Sequence, residues 1–101
     1  MSAVRLTLIG KPGCHLCDDA RHVVDEVRER LAAAGVATKF DELDITRDAA
    51  LAREHAEHIP VVQIDGRRHA IWRVDPDRLA AAVTKAARNP LRALRRGQAT
   101  L

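Results

Sequence analysis

The chain contains two cysteines, Cys14 and Cys17, which are three residues apart and are its only thiols. A Cys-x-x-Cys pair of this kind can hold a metal ion or form a reversible disulfide. Both chemistries need the two sulfur atoms close together, and residues three positions apart on a helix share one face. The question is therefore whether the pair lies on a helix, and which of the two chemistries it carries out.

A helix is predicted to begin at this pair. Residues 4–9 have the composition of a short buried strand, and Gly10-Lys11-Pro12-Gly13 is the turn that follows it. From Cys14 to about residue 34 the apolar side chains recur with the 3.6-residue period of an amphipathic helix, at Leu16, Ala20, Val23, Val24, Val27, Leu31 and Ala34. This pattern puts Cys14 at the start of the helix and Cys17 one turn further along it.

Capping and strand signals define the next elements. A second strand is predicted at residues 38–44, where apolar and acidic residues alternate imperfectly. A short helix capped by Thr46 or Asp48 is expected to run to about Glu57. A third strand is predicted at residues 60–64, opened by a proline that also ends the helix.

The last part of the chain is predicted to form a hairpin and a helix. Asp65-Gly66 is a strong turn signal that leads into a fourth strand at residues 69–72. Asp75 suits the N-cap of a final helix that extends to about residue 88. The order β-α-β-α-β-β-α predicts an α/β fold with a mixed four-stranded sheet and helices on both faces.

The length and charge of the chain limit its function. Its 101 residues suit one domain, predicted at residues 1–89, followed by a basic tail at residues 90–101. Lys and Arg number 17 against 14 Asp and Glu, and the excess is Arg92, Arg95 and Arg96 in that tail. A charge-balanced domain with only two aromatic residues lacks the basic stripe of a nucleic-acid-binding protein, so no nucleic-acid partner is expected.

The sequence also predicts where the protein works. Residues 1–5 have no basic region followed by an apolar stretch and a cleavage site, as a secretory signal would. No apolar run approaches the ~20 residues that cross a membrane. We therefore expect a cytoplasmic monomer with no membrane partner. Because cytoplasmic thiols stay reduced, the cysteine pair would be catalytic or metal-binding rather than a structural disulfide.

A helix start favours redox chemistry. The unpaired N–H groups and the positive end of the helix dipole stabilise a thiolate more than a thiol, and Cys-x-x-Cys thiols in this setting have pKa values of about 3.5–7.5. Cys14 is the predicted nucleophile, with Lys11 and His15 adding positive charge beside it. Cys17, deeper in the turn, is expected to keep a more ordinary pKa than Cys14 and to resolve the mixed disulfide.

Other uses of the pair stay open at this point. Zinc usually takes four ligands, but the chain has no second cysteine pair, and His55 and His58 are spaced more closely than usual for zinc. A copper or iron–sulfur site shared between two chains would need only Cys14 and Cys17. The remaining alternatives are two inert buried cysteines and an adaptor that keeps the fold without catalysis.

A second motif gives the cysteine pair a family context. The strand, the Cys-x-x-Cys at a helix start, Ile59-Pro60-Val61-Val62 and Asp65-Gly66 together resemble the thioredoxin superfamily over about residues 4–88. The chain length and Gly10-Lys11-Pro12-Gly13-Cys14-His15-Leu16-Cys17 are most similar to the glutaredoxin-like branch, and within it to small bacterial glutaredoxin-like proteins.

The resemblance implies a substrate site around the cysteines. Pro60 would be a cis proline against the pair, and the backbone of Ile59 would pair with the substrate's cysteinyl backbone. Lys11 would support the thiolate or an anionic group such as a glutathione carboxylate. The implied activity is thiol–disulfide exchange without a bound cofactor, with a disulfide-containing protein or glutathione as partner, glutathione as a candidate co-substrate and a reductase as electron donor. Residues 71–75 lack the glycine pair with which glutaredoxins bind glutathione.

Several remaining residues are expected to have no chemical role. His22, His55, His58 and His69 are predicted to lie on the surface. Trp72 is expected to pack within the protein rather than to flank the cysteines, although both positions are consistent with its place in the sequence.

Overall fold

The protein is built around a central strand that leads into the cysteine pair. In the computed structural model, which describes residues 3–89, this strand is β1 (Val4–Gly10). The others are β2 (Thr38–Asp44), β3 (Val61–Ile64) and β4 (Arg67–Ile71), in the spatial order β2-β1-β3-β4. β2 pairs parallel to β1, whereas β3 pairs antiparallel to β1 and to β4. The predicted mixed sheet is confirmed.

Three α-helices connect or follow these strands within the described residues. They are α1 (His15–Ala33), α2 (Ala49–His55) and α3 (Pro76–Arg88), and a 3-10 helix (Ile45–Arg47) precedes α2. Gly35 follows α1 with a φ of 84°, a conformation in which a side chain would strain the backbone.

Acidic side chains cap three of the helices. The Asp48 carboxylate accepts the N–H groups of Ala50 and Leu51, at 3.0 and 3.2 Å, so Asp48 caps α2. Asp75 caps α3 in the same way, as predicted. Thr46 does not cap α2, because it lies inside the 3-10 helix, where its N–H donates to the Asp44 cap at 2.8 Å.

The two faces of the sheet have separate cores, since alternate side chains of a strand point to opposite faces. One face packs against α1 and α3 through a cluster that includes Leu6, Leu8, Val24, Val27, Val62, Leu79 and Val83. The other face is smaller and packs Ile9 and Val61 against the 3-10 helix and α2, through Ile45 and Leu51. Helices therefore cover both faces, as expected.

The hairpin and its strands differ slightly from the prediction. Asp65 and Gly66 form the two-residue turn, with φ of 49° and 83°, which confirms the turn signal. β4 begins directly after it and ends at Ile71, so Trp72 lies beyond the strand. The short helix α2 ends at His55 rather than at about Glu57, because the chain turns there and the His58 N–H donates to the His55 carbonyl at 2.8 Å.

Two further expectations concern membrane-spanning segments and the boundary of the domain. None of the helices within residues 3–89 is both long enough and apolar enough to cross a membrane. The basic tail at residues 90–101 lies outside the described residues, so the domain boundary at residue 89 stays a prediction.

Candidate functional site

The two cysteines lie in the first turn of α1, in different environments. Cys14 is the N-cap of the helix, with φ of −93° and ψ of 115°, and its Sγ accepts the backbone N–H of Cys17 at 3.3 Å. This sulfur occupies the place of the oxygen that usually caps a helix. Both cysteines are free thiols, but Cys14 is half-buried whereas Cys17 is 1% exposed. A reagent in solution therefore reaches Cys14 first.

The pKa of Cys17 is far from ordinary. Burial, and then the interaction with the Cys14 sulfur, raise the pKa of the Cys17 thiol from 9.0 to about 11. The Lys11 backbone N–H and the charge of Arg21 both lower the pKa of Cys17, but by less than burial and the Cys14 sulfur raise it. The expectation of a more ordinary pKa for Cys17 is therefore wrong, because the core closes over the second thiol.

We expect the reduced protein to lose stability in alkaline solution because of Cys17. The folded state holds the Cys17 proton more tightly than the unfolded chain does, so this contribution is complete below pH 9 and is lost as the pH rises through about 11. Two pKa units correspond to about 2–3 kcal/mol of unfolding free energy. Urea unfolding under reducing conditions between about pH 8 and pH 11 would measure the loss.

The matched control for this measurement is Cys17→Ala. It lacks the thiol and should show a flatter dependence of stability on pH over the same interval. The chain has no tyrosine, so no phenol titrates in this range. An equally steep loss in the Cys17→Ala variant would contradict the assignment to Cys17.

Gly10 provides the space for the buried thiol. A Cβ atom built on Gly10 would lie 2.8 Å from the Cys17 Sγ and 3.3 Å from its Cβ, which is closer than real contacts of that kind. The sulfur therefore packs directly against the backbone at the end of β1. From the sequence Gly10 is expected only to begin a turn, and nothing local indicates that a sulfur atom would approach it.

Ile59 and Pro60 immediately precede β3, the strand next to this position. β1 and β3 pair Ile9 with Val61, so Gly10 and Pro60 are the residues adjacent to this last pair, at the same end of the two strands. The Ile59–Pro60 peptide bond is cis, and the Pro60 side chain is fully buried. Among the contacts within residues 3–89, no hydrogen bond uses the N–H or the carbonyl of Ile59. An extended chain in that position could pair with both groups.

Lys11 and His15 lie on either side of the first cysteine in the sequence, and both are exposed. Neither side chain takes part in a hydrogen bond or ion pair with the rest of residues 3–89. Lys11 does interact with Cys17 through its backbone N–H, which lowers the pKa of the Cys17 thiol. The structure thus brings Lys11, His15 and the cysteine pair to one end of the sheet, where the Lys11 and His15 side chains are both exposed.

A cleft of about 400 Å³ opens beside the buried thiol, between the start of α1 and the end of β2. Cys17 and Lys11 line one side, and Glu42 lies across from them. Arg21 crosses the cleft, donating to Glu42 through Nε and to Asp18 through Nη1, the latter at 2.8 Å. Three of the five charged side chains that line the cleft, Asp18, Arg21 and Glu42, therefore pair with one another.

The histidines offer no metal centre with the cysteines. No group of three or more His, Cys, Asp or Glu side chains in the described residues is arranged to hold a metal ion. His22 is exposed as predicted, but the surface prediction is wrong for His55, which is 6% exposed, while His58 and His69 are half-buried. His55 is buried because it forms the last turn of a helix whose inner side packs on the sheet.

The environment of Trp72 also differs from the prediction. Its side chain is 51% exposed rather than packed, and its φ is 65°. The chain leaves β4 at this residue, so the ring is not carried into either core. Trp72 lies at the end of the sheet where β1 leads into the cysteine pair, since the Trp72 N–H donates to the Pro60 carbonyl at 2.8 Å.

Comparison with known proteins relates this arrangement to one family. Residues 5–84 match the glutaredoxin-like domain (DUF836). A structural genomics target protein from X. campestris is 31% identical, with a TM-score of 0.63 over 79% of this chain and 96% of that one. An uncharacterised protein of Mycobacterium tuberculosis is 29% identical over 84% of this chain and 88% of its own. Thioredoxin-2 of the malaria parasite, 17% identical with a TM-score of 0.60 over 82% of each chain, shares the fold.

Proposed function

Since the chain belongs to the glutaredoxin-like domain family (DUF836), we propose that it is a thiol–disulfide oxidoreductase in which Cys14 and Cys17 react. Its thioredoxin-like fold and its family support a redox type of function. The observation that carries the finer proposal is the asymmetry of the pair. Cys14 caps a helix and is within reach of solvent, whereas Cys17 is buried beneath it with a raised pKa.

This asymmetry gives the two thiols different steps. The Cys14 thiolate attacks one sulfur of a substrate disulfide, forms a mixed disulfide and releases the other substrate sulfur as a thiolate. Cys17 then loses its proton to solvent and attacks the Cys14 sulfur, which releases the second substrate thiolate. The protein ends with a Cys14–Cys17 disulfide, having given two electrons to the substrate. A thiol reductant returns the pair to the reduced form.

Four neighbouring residues would bind the substrate. The unpaired backbone groups of Ile59 suit pairing with the substrate chain beside its cysteine, and Pro60 fixes the start of β3 next to Gly10. The free cationic side chain of Lys11 suits an anionic substrate group or the Cys14 thiolate, and His15 suits the same role from the first turn of α1.

The proposal extends to the cellular setting. The substrate would be a disulfide-containing protein or glutathione disulfide, and the reductant would be glutathione or a dedicated reductase. No bound cofactor takes part in these steps. We propose that the protein works in the cytoplasm as a monomer, with a metal-transfer module or a non-catalytic adaptor as the alternatives to be tested.

A single-turnover experiment tests the proposal. The reduced protein is mixed with a small-molecule disulfide or, separately, with a protein disulfide, and both products are followed by mass spectrometry. We expect the protein to lose two hydrogens as Cys14 and Cys17 join, with the release of two substrate thiols for each protein oxidised. Glutathione with its reductase, and thioredoxin reductase in parallel, would then identify the electron donor.

Two outcomes would contradict oxidoreductase activity. If both cysteines stay reduced in the presence of excess disulfide, the pair has no exchange chemistry. If protein purified under reducing conditions instead retains a stoichiometric metal through dialysis, the metal-transfer alternative explains the cysteines better.

A further inference from the structure

Trp72 is the most exposed large hydrophobic side chain of the described residues, at 51%, and the other one is Leu43 at 40%. A single exposed hydrophobic side chain is common on protein surfaces and needs no special role. Trp72 differs in how it is held, since three features fix its position.

The first feature is the backbone. Trp72 has a φ of 65°, in the left-handed region that bulky residues rarely adopt. The second is its N–H, which donates to the Pro60 carbonyl at 2.8 Å, and the third is its indole Nε1–H, which donates to the Glu57 carbonyl at 3.2 Å. An exposed side chain held this firmly, in a costly conformation, is typical of a position where function requires a fixed orientation.

These contacts also locate the ring. Both partners of Trp72 belong to the segment that leads from α2 into β3, on either side of Ile59. Ile59 has an unpaired backbone N–H and carbonyl, and Val61, two residues further on, pairs with Ile9 next to Gly10, against which the Cys17 sulfur packs. The ring is therefore next to the backbone that would pair with a substrate, at the cysteine end of the sheet.

The chemistry of the ring restricts what could bind there. The only polar group of the indole is already used in the bond to Glu57, so the ring offers its hydrocarbon edge and face alone. Unpaired backbone groups beside an exposed aromatic ring suit an extended polypeptide that pairs through its main chain and places an apolar side chain on the ring.

We propose that Trp72 is a specificity-determining residue, whose exposed ring binds an apolar side chain next to the cysteine of a polypeptide substrate that pairs with the Ile59 backbone. This inference rests on the proposed oxidoreductase function and adds a residue that selects among its polypeptide substrates.

The test uses two peptides that differ only in the residue beside their disulfide-bonded cysteine, leucine in one and serine in the other. The Cys17→Ser variant stops the reaction at the mixed disulfide with Cys14, and the readout is the ratio of the rates for the two peptides. We expect the leucine peptide to react about 10-fold faster, equivalent to a single favourable apolar contact. Because the chain has one tryptophan, its fluorescence should also change with the leucine peptide.

Adding Trp72→Ala should bring the ratio of the two rates close to one. Trp72→Gly serves as a second variant that also removes the ring. Because glycine adopts a positive φ without strain, this variant should fold even if alanine at position 72 destabilises the protein. Leu43→Ala, on the other side of β1 in the sheet, should keep the full preference for leucine. A ratio near 10 that survives both Trp72 substitutions would overturn the proposal.

The experiment separates this inference from the function on which it rests. If the serine and leucine peptides react equally with the Cys17→Ser protein, docking on Trp72 is wrong while Cys14 remains the nucleophile. If neither peptide forms a mixed disulfide with Cys14, the oxidoreductase proposal itself fails.

Discussion

Replacing Cys14 by serine is expected to lower the rate of disulfide exchange by about 10³-fold or more, because a hydroxyl cannot act as the thiolate nucleophile at neutral pH. The fold should be retained, since a serine side chain is also a good helix N-cap and can accept the Cys17 N–H that Cys14 Sγ now accepts. The comparison of exchange rates for the Cys14→Ser and unmodified proteins, with equal thermal stability, would check both statements.

The matched variant is Cys17→Ser, which should give the opposite phenotype. Cys14 still attacks, but the mixed disulfide with the substrate is not resolved and accumulates in place of the Cys14–Cys17 disulfide. Mass spectrometry distinguishes this adduct from the oxidised protein. Equal residual turnover in the two variants would mean that the thiols do not have the separate roles assigned to them, and full biological function of Cys14→Ser would favour a non-catalytic adaptor.

The second large effect is expected from Gly10→Ala. The new Cβ would lie 2.8 Å from the Cys17 sulfur, so the sulfur or the end of β1 must move within a tightly packed region. Overpacking of this kind costs about 1–3 kcal/mol of unfolding free energy. Because it is the resolving sulfur that is displaced, the mixed disulfide should also persist longer than in the unmodified protein.

A double-mutant cycle assigns the cost of Gly10→Ala to that one contact. In a Cys17→Ala background the sulfur is absent and the nearest remaining contact is the Cβ at 3.3 Å, so Gly10→Ala should cost at least about 1 kcal/mol less. Urea unfolding of the four reduced proteins measures the cycle. The same cost in both backgrounds would show that the backbone of residue 10, rather than the sulfur, limits the substitution.

The fold could be predicted because its signals are local. The 3.6-residue stripe of α1, the Asp48 and Asp75 caps and the Asp65-Gly66 turn each depend on residues that are close in sequence. Those signals fix the order of the elements, and the order with a central β1 restricts the sheet to few arrangements. The position of Cys14 at the start of a helix follows from the same information.

The features of the site that escaped prediction depend on contacts between distant segments. The raised pKa of Cys17 results from how completely the core covers the thiol. Its close packing on Gly10, and the burial of His55, become visible only when strands and helices are assembled. The left-handed conformation of Trp72 also has no local signal, because the hydrogen bonds that hold it reach back to Glu57 and Pro60.

The hairpin turn at Asp65 and Gly66 has a consequence for how such a domain can vary. The Arg5 N–H donates to the Asp65 carboxylate at 3.0 Å, so the turn lies beside the beginning of β1, while Gly10 and the cysteines lie at its other end. Arg5 and Gly10 are five residues apart on this extended strand, which separates the turn from the cysteine end by about 16 Å. Insertions, grafted epitopes or fused partners could therefore be accommodated at the turn without obstructing the thiols. Evolutionary change in the loop and conservation of the reaction can proceed independently, at opposite ends of one strand.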